Sequence, residues 1–347
     1  MIRELIDRLE GQHILTKEEF CTLIDGAGGE DREYLFARAR RQAQAVYGRA
    51  VFVRGLIEFT SFCKNNCYYC GIRRGNSQAS RYRLTEEEIM ECCREGYALG
   101  FRTFVLQGGE DPWYDDEKLA GLVRQIKGAY PDCAVTLSVG EKSYETYKKW
   151  FDAGADRYLL RHETANPEHY ARLHPADMSS AHRKQCLRDL KAIGYQTGCG
   201  IMVGSPWQTT EHLAEDMIFM HDLNPEMVGI GPFIPHSQTP FKDKPPGTLE
   251  RTLILLAVVR LMLPRVLLPA TTALGTIHPT GREQGILAGA NVVMPNLSPL
   301  SVRKKYMLYD NKISTGAEAA SNIAELRRRM EAVGYEVVMG RGDFCRM

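Results

Sequence analysis

From residue 51 onward, short apolar runs alternate with helix-length amphipathic segments, and this alternation leaves few folds open. The runs are Val51–Phe59, Thr103–Gln107, Ala134–Val139, Arg157–Arg161, Thr197–Val203, Met227–Phe233, Leu267–Ala273 and Asn291–Met294. Each is nearly continuous in hydrophobicity, as parallel strands covered by helices are. Parallel neighbours need a crossover of a dozen or more residues, usually a helix, and segments of that kind lie between the runs. Eight such repeats predict an α/β fold, a complete (β/α)8 barrel of the TIM type.

Local signals agree with that reading. Thr85-Glu86-Glu87-Glu88 has the form of a capping box, in which the hydroxyl and the third carboxylate each take a free backbone N–H. Gly100, Gly154 and Gly194 each follow a helical pattern, where a left-handed cap suits glycine. Residues 1–47 read as a helical extension with Ile2, Leu5, Ile6 and Leu9 on one face and a second amphipathic stretch over 31–47. The barrel is expected over 48–310. A C-terminal extension follows over 311–347, with a helix near 322–333 whose Arg327-Arg328-Arg329 run reads as a solvated face.

The net charge of +1 provides no field to attract nucleic acid or an acidic membrane, so a small-molecule partner is expected. No apolar run is long enough to cross a bilayer, and the charged amphipathic start lacks the apolar centre of a secretory signal. A cytoplasmic location is expected. In that compartment ten cysteines read as thiols or metal ligands rather than disulfides.

Three cysteines are close together: Cys63, Cys67 and Cys70, in Glu58-Phe59-Thr60-Ser61-Phe62-Cys63-Lys64-Asn65-Asn66-Cys67-Tyr68-Tyr69-Cys70-Gly71. The segment lies at the C-terminal end of the first candidate strand, the end that carries active sites in barrels. Thiolates are the usual ligands of iron–sulfur clusters, and three of them leave one iron of a [4Fe-4S] cube open. Zinc is the alternative for Cys67-x-x-Cys70, but no neighbouring Cys or His pair completes a structural site. A thioredoxin-type pair leaves Cys63 unexplained.

The Cys-x3-Cys-x2-Cys spacing, with Tyr69 before the last cysteine, resembles the signature of the radical S-adenosylmethionine (SAM) superfamily. The resemblance implies that SAM chelates the open iron, that the reduced cluster cleaves it, and that a 5′-deoxyadenosyl radical results. It also implies SAM contacts elsewhere. Gly108-Gly109-Glu110 resembles the glycine-rich turn beside the SAM amine. Glu163, in Arg161-His162-Glu163-Thr164-Ala165-Asn166, would accept from the amine or ribose, and Arg183 would fork onto the carboxylate. Taken without the family, the alternative for Arg161–Glu163 is a structural ion pair, and for Arg183 a helix-surface arginine. Met202, in the glycine-spaced strand Gly198–Gly204, would lie beside adenine. Cys199 reads as a buried small hydrophobe.

Further stretches are similar to the HydE-type maturases of [FeFe]-hydrogenase, with biotin synthases and methylornithine synthases as relatives. They include Arg81–Thr85, Leu106–Pro112, Arg161–Pro167 and Gly229–His236. That likeness implies a role in assembling the diiron subcluster, with an iron–CO–cyanide–cysteine complex as substrate. It also implies an electron donor of flavodoxin or ferredoxin type and the other maturases as partners. An anionic substrate would call for a polar lining, for which Thr136, Ser138, Arg161, Thr271 and Thr272 are the candidates; ordinary β-branched strand content is the alternative. Met294, Tyr306 and Tyr309 would flank adenine or close the cavity, or else simply pack in the core. Cys92, Cys93 and Cys186, on candidate helices, read as packing. After residue 310 the next cysteine is Cys345, so only one cluster is expected. Relatives can carry Ser where this chain has Gly108, which removes one hydroxyl from the site.

Overall fold

The computed structural model describes residues 1–314 and 319–345; Thr315 and Gly316, in the cysteine-free stretch after the barrel, lie outside them. Three helices, α1 (Ile2–Gln12), α2 (Lys17–Gly26) and α3 (Gly29–Tyr47), precede the short strand β1 (Ala50–Val53). Six parallel strands then pair in sequence order: β2 (Gly55–Thr60), β3 (Thr103–Gly108), β4 (Ala134–Ser138), β5 (Arg157–Leu159), β6 (Gln196–Val203) and β7 (Met227–Pro232). Between them run α4 (Glu86–Ala98), α5 (Asp116–Ala129), α6 (Tyr144–Asp152), α7 (Pro167–Leu173) with α8 (Ser180–Ile193), and α9 (Thr210–Leu223). After β7 come α10 (Leu249–Met262), α11 (Thr272–Ile277), α12 (Gly281–Leu287), β8 (Val292–Val293) and α13 (Leu300–Arg303). The chain ends with α14 (Ile323–Ala332) and β9 (Glu336–Val338).

Isolated parallel bridges carry the pairing round from β7 to β2. Met227 pairs with Leu267, Pro269 with Val292, and Asn296 with Leu56. The seventh and eighth barrel segments are therefore present but shorter than their apolar runs suggest. Pro269 has no N–H to give a ladder, and Thr272 and Ala273, expected in the seventh strand, open α11. The first run is also divided: β1 leaves the barrel to pair with β8 and β9, and β2 starts after Arg54.

The expected caps are in place. Thr85 and Glu88 form the reciprocal box at the start of α4. Gly100, Gly154 and Gly194 all have positive φ, the region glycine enters without a Cβ penalty. Helix α10 is buried all round, from Thr252 to Met262. A helix apolar on every side needs cover on every side, and α1, α2 and α3 provide it on the flank away from the barrel.

The C-terminal tail closes the bottom of the barrel, which a helix-only reading of that segment did not foresee. β9 pairs with β1. Beyond it, the Arg341 carbonyl accepts from Thr103 Oγ1 at 2.8 Å and from Arg157 Nη2 at 2.8 Å, and Asp343 Oδ1 takes Arg157 Nη2 at 2.6 Å. Arg157 is fully buried, so this carboxylate and carbonyl offset a desolvation cost that an unpaired guanidinium would bear alone.

Candidate active site at the top of the barrel

The cysteine loop leaves β2 and is bound to the turn after β3. Gly109 N donates to the Thr60 carbonyl and Lys64 N to the Glu110 carbonyl, at 3.2 and 2.9 Å. The approach is close enough to require glycine: a Cβ on Gly109 would lie 2.1 Å from the Phe62 carbonyl oxygen and 2.7 Å from Cys63 Cβ. Arg81 gathers the rest of the loop. Its guanidinium donates to the carbonyls of Ser61, Ile72, Arg73 and Asn76 at 2.5–3.2 Å. Asp111 fixes the neighbouring turn, accepting from Arg83 Nε and Nη2 at 2.6 and 2.9 Å and from the Thr60 hydroxyl at 2.7 Å.

Cys63, Cys67 and Cys70 all line one cavity of about 320 Å³. Burial pushes the three thiols up, Cys70 to about 12. They stay protonated until a cation takes them as thiolates. Three half-buried thiols around one chamber are the donor set that an iron–sulfur cube takes.

A set of charged groups lies beside the loop. Glu110 Oε1 accepts from Glu141 N at 3.0 Å, and Glu110 Oε2 is 3.4 Å from Lys64 Nζ. The carboxylate occupies the volume that a side chain at Gly140 would need: a Cβ there would meet Glu110 Cγ and Oε1 at 2.0 Å. Arg183, on α8, is buried and points into the cavity rather than to solvent. Its Nε lies 2.6 Å from Glu141 Oε1, an ion pair without hydrogen-bond alignment. Burial opposes its charge, but Tyr170 and Glu141 outweigh that and hold it protonated.

Glu163 has φ +66, a left-handed conformation that non-glycine residues seldom adopt and that clusters at functional sites. Its neighbours explain how it is held. His162 faces away from the cavity and sits 3.3 Å from the buried Asp216 on α9. Asp216 also accepts from Ala165 N at 2.5 Å, so one carboxylate pins the chain on both sides of Glu163. The turn aims Glu163 into the cavity beside Arg161, with Glu163 Oε2 and Arg161 Nη2 3.3 Å apart. Arg161 also donates to the Ile201 carbonyl.

Met202, Phe233 and Tyr69 form an apolar wall of the cavity and are backed by Leu173, Phe241 and Tyr68 in the same cluster. Tyr69 Oη is 3.1 Å from His174 Nε2, and His174 Nδ1 is 3.0 Å from the Tyr170 carbonyl. Burial lowers His174 to about 3. The ring is therefore neutral, with its proton on Nδ1 toward the carbonyl, and Tyr69 donates to Nε2.

Most of the residues singled out from sequence line this one cavity: the three cysteines, Tyr69, Gly108, Gly109, Glu110, Ser138, Arg161, Glu163, Arg183, Met202, Thr271, Thr272, Met294, Tyr306 and Tyr309. Thr136 does not. It lies two residues below Ser138 on β4, buried, with Oγ1 lacking a hydrogen bond among the described residues. Thr271 Oγ1 likewise has no hydrogen bond among the described residues, and it does line the chamber, where an unsatisfied hydroxyl is costly unless something pairs with it.

Sequence reasoning passed over Glu58 and Lys312. Glu58 is fully buried, and its carboxylate takes Lys312 Nζ at 2.5 Å and Asn296 Nδ2 at 2.9 Å. Both line the cavity. A glutamate inside an apolar strand run, with no partner in its own segment, was the available signal, because a buried carboxylate must be paired. Its partner lies 254 residues away along the chain and has no signature.

The comparisons with known proteins agree with this geometry. Residues 57–220 match the Radical SAM superfamily. The chain is 44% identical over 332 residues to the [FeFe] hydrogenase maturase subunit HydE of Thermotoga maritima, covering 96% of this chain and 94% of that protein. It is 31% identical to 3-methylornithine synthase of Methanosarcina barkeri, covering 96% of each. The crystal structure of methylornithine synthase superposes with a TM-score of 0.86 at 30% identity, covering 96% of this chain and 97% of that one. No helix of the described residues is long and apolar enough to cross a membrane. Superfamily membership implies a [4Fe-4S] cluster and SAM, for which the chamber holds thiols, an apolar wall and paired charges of both signs. The chain is an enzyme of the radical SAM superfamily, in the branch that contains the HydE-type maturases and methylornithine synthases.

Proposed function

We propose that this protein is a HydE-type maturase that acts on an iron–CO–cyanide–cysteine substrate during assembly of the diiron subcluster of [FeFe]-hydrogenase. The observation that carries this reading is the chain-wide identity to the Thermotoga maturase, which exceeds that to methylornithine synthase over the same span.

In this reading Cys63, Cys67 and Cys70 hold three irons of a single [4Fe-4S] cluster. With SAM on the fourth iron, the pair supplies one-electron cleavage of a C–S bond and a 5′-deoxyadenosyl radical. The protein's own residues bind, orient and exclude water. The backbone at Gly108 and Gly109, with Glu110, receives the SAM amine end. Glu163 accepts from the amine or ribose, and Arg183 takes the carboxylate in a charge-assisted fork. Tyr69 and Met202 pack on adenine, and Tyr306 closes that side.

Arg161, Ser138, Thr271 and Thr272 offer one guanidinium and three hydroxyls to an anionic substrate deeper in the barrel, flanked by Met294 and Tyr309, while Thr136 lies below them. The Thr271 hydroxyl, which has no hydrogen bond among the described residues, supports this assignment. A flavodoxin- or ferredoxin-type donor would supply the electron, the other maturases would supply and receive substrate and product, and the setting would be the cytoplasm.

The test is omission. Hydrogenase apoprotein is matured with the purified partner maturases, with and without this protein. Maturation is expected to fail without it, and full yield in its absence would overturn the reading. Incubation with lysine separates the neighbouring function, since a methylornithine synthase rearranges the carbon skeleton and a maturase does not. A non-catalytic iron–sulfur scaffold would leave SAM uncleaved by the reduced protein.

A further inference from the structure

Cys186, read from sequence as packing, is part of a second group of ligating side chains. His182 and Cys186 are one turn apart on α8, at the i, i+4 spacing that places two side chains on the same face. The residue after Gly140 brings Glu141 up to them. Glu141 Oε2 lies 3.5 Å from His182 Nε2, and Cys186 Sγ lies 3.7 Å from the same nitrogen. All three ligand atoms are within 4.8 Å of one another, and among the described residues this is the one group of histidine, cysteine and acidic side chains so arranged.

These two separations match the ligand spacings of a metal, although the Cys186 thiol as it stands is also within sulfur hydrogen-bond reach of His182 and of the Lys142 carbonyl, 3.7 Å away. The edges of a tetrahedron drawn around zinc at its usual ligand distances are roughly 3.3–3.7 Å. The imidazole–carboxylate contact is too long for a good hydrogen bond. The donor set is also specific, because imidazole, thiolate and carboxylate together select zinc-type divalent ions over calcium or magnesium. A thiolate and a carboxylate neutralise the two positive charges of such an ion.

Glu141 has two oxygens with separate tasks. Oε1 faces Arg183 at 2.6 Å, and Oε2 faces His182. A cation on Oε2 therefore need not displace the arginine. Cys186 is buried, Glu141 is nearly so, and His182 is 59% exposed, so the group is open on the histidine side and closed behind.

We propose that Glu141, His182 and Cys186 form a binding site for a zinc-type divalent ion, with a water in the fourth position, on the outer side of Arg183. Coordination through Oε2 would fix the Glu141 carboxylate and, through Oε1, hold Arg183 toward the chamber. Glu141 and the metal would thus be positioning elements.

The experiment uses the reconstituted holoenzyme, incubated anaerobically with zinc sulfate, passed through gel filtration and analysed for zinc and iron together. About one zinc per chain is expected alongside about four irons, and zinc K-edge absorption should show one sulfur near 2.3 Å among lighter ligands. His182→Ala and Cys186→Ala should each lower zinc retention at least tenfold with the iron content unchanged. The histidine is mostly exposed, so its replacement leaves the core intact even if the cysteine variant folds poorly. Wild-type protein that keeps no zinc after filtration, or a His182→Ala variant that keeps as much as wild type, would overturn the proposal. Zinc that displaces iron would also overturn it, by placing the ion at the cluster cysteines. None of these outcomes bears on SAM cleavage, so the assignment of the main site stands or falls separately.

Discussion

Gly140 and Glu110 show how single residues set the chamber. A methyl group at Gly140 would overlap the Glu110 carboxylate at 2.0 Å, and the backbone there has φ +81. Gly140→Ala is therefore expected to displace Glu110 and weaken SAM binding by tenfold or more at unchanged iron content, measured by equilibrium dialysis with the holoenzyme. Cys67→Ser should instead lose both iron and SAM cleavage, because a hydroxyl is a poor iron ligand where a thiolate is required; intact turnover would remove Cys67 from the ligand set. The cysteines were legible because their spacing is local. Gly140 and the Glu58–Lys312 pair were not, because each depends on a residue from another part of the chain. Lys312→Met would leave the Glu58 carboxylate buried with Asn296 as its one partner among the described residues, and a loss of about 3–5 kcal/mol in unfolding free energy is expected for a broken buried pair, measurable by denaturant titration.

At the scale of elements, the strands and their order could be read because a parallel strand covered by helices is apolar throughout. Their ends were less legible. Thr272 and Ala273 pass into a helix once Pro269 interrupts the ladder, and β5 stops at Leu159, so that Arg161–Ala165 forms the turn pinned by Asp216. The cysteine loop depends on Arg81, which joins four carbonyls that no helix or strand satisfies. Arg81→Lys keeps the charge but lacks the planar fork, and iron should be lost several-fold faster to a chelator. Around α7, burial lowers His169 to about 4 and His174 to about 3. Unfolding raises both toward their ordinary value near 6.5, so the unfolded chain binds more protons below that pH. Stability conferred by the two neutral rings is present above pH 6.5 and declines as the pH falls toward 3. Thermal melts across that window should show the fall, and His174→Gln should make it shallower; an unchanged slope would contradict the buried neutral ring.

For the molecule as a whole, both ends of the chain support the barrel that carries the site. Removing residues 1–47 would bare the apolar flank of α10, and the truncated chain is expected to aggregate where the full chain stays soluble. The role of the tail could not be foreseen, since Arg341 and Asp343 look like ordinary surface charges until Arg157 is found buried beneath them. The account's central claim is that three cysteines leave one iron open to SAM at the top of this barrel. Electron–nuclear double resonance on the reduced enzyme, with SAM carrying ¹⁵N in its amine and ¹⁷O in its carboxylate, tests it most directly. Coupling of both labels to a cluster of about four irons is the predicted result. A metal other than iron on these cysteines, or bound SAM whose labels show no coupling, would contradict it.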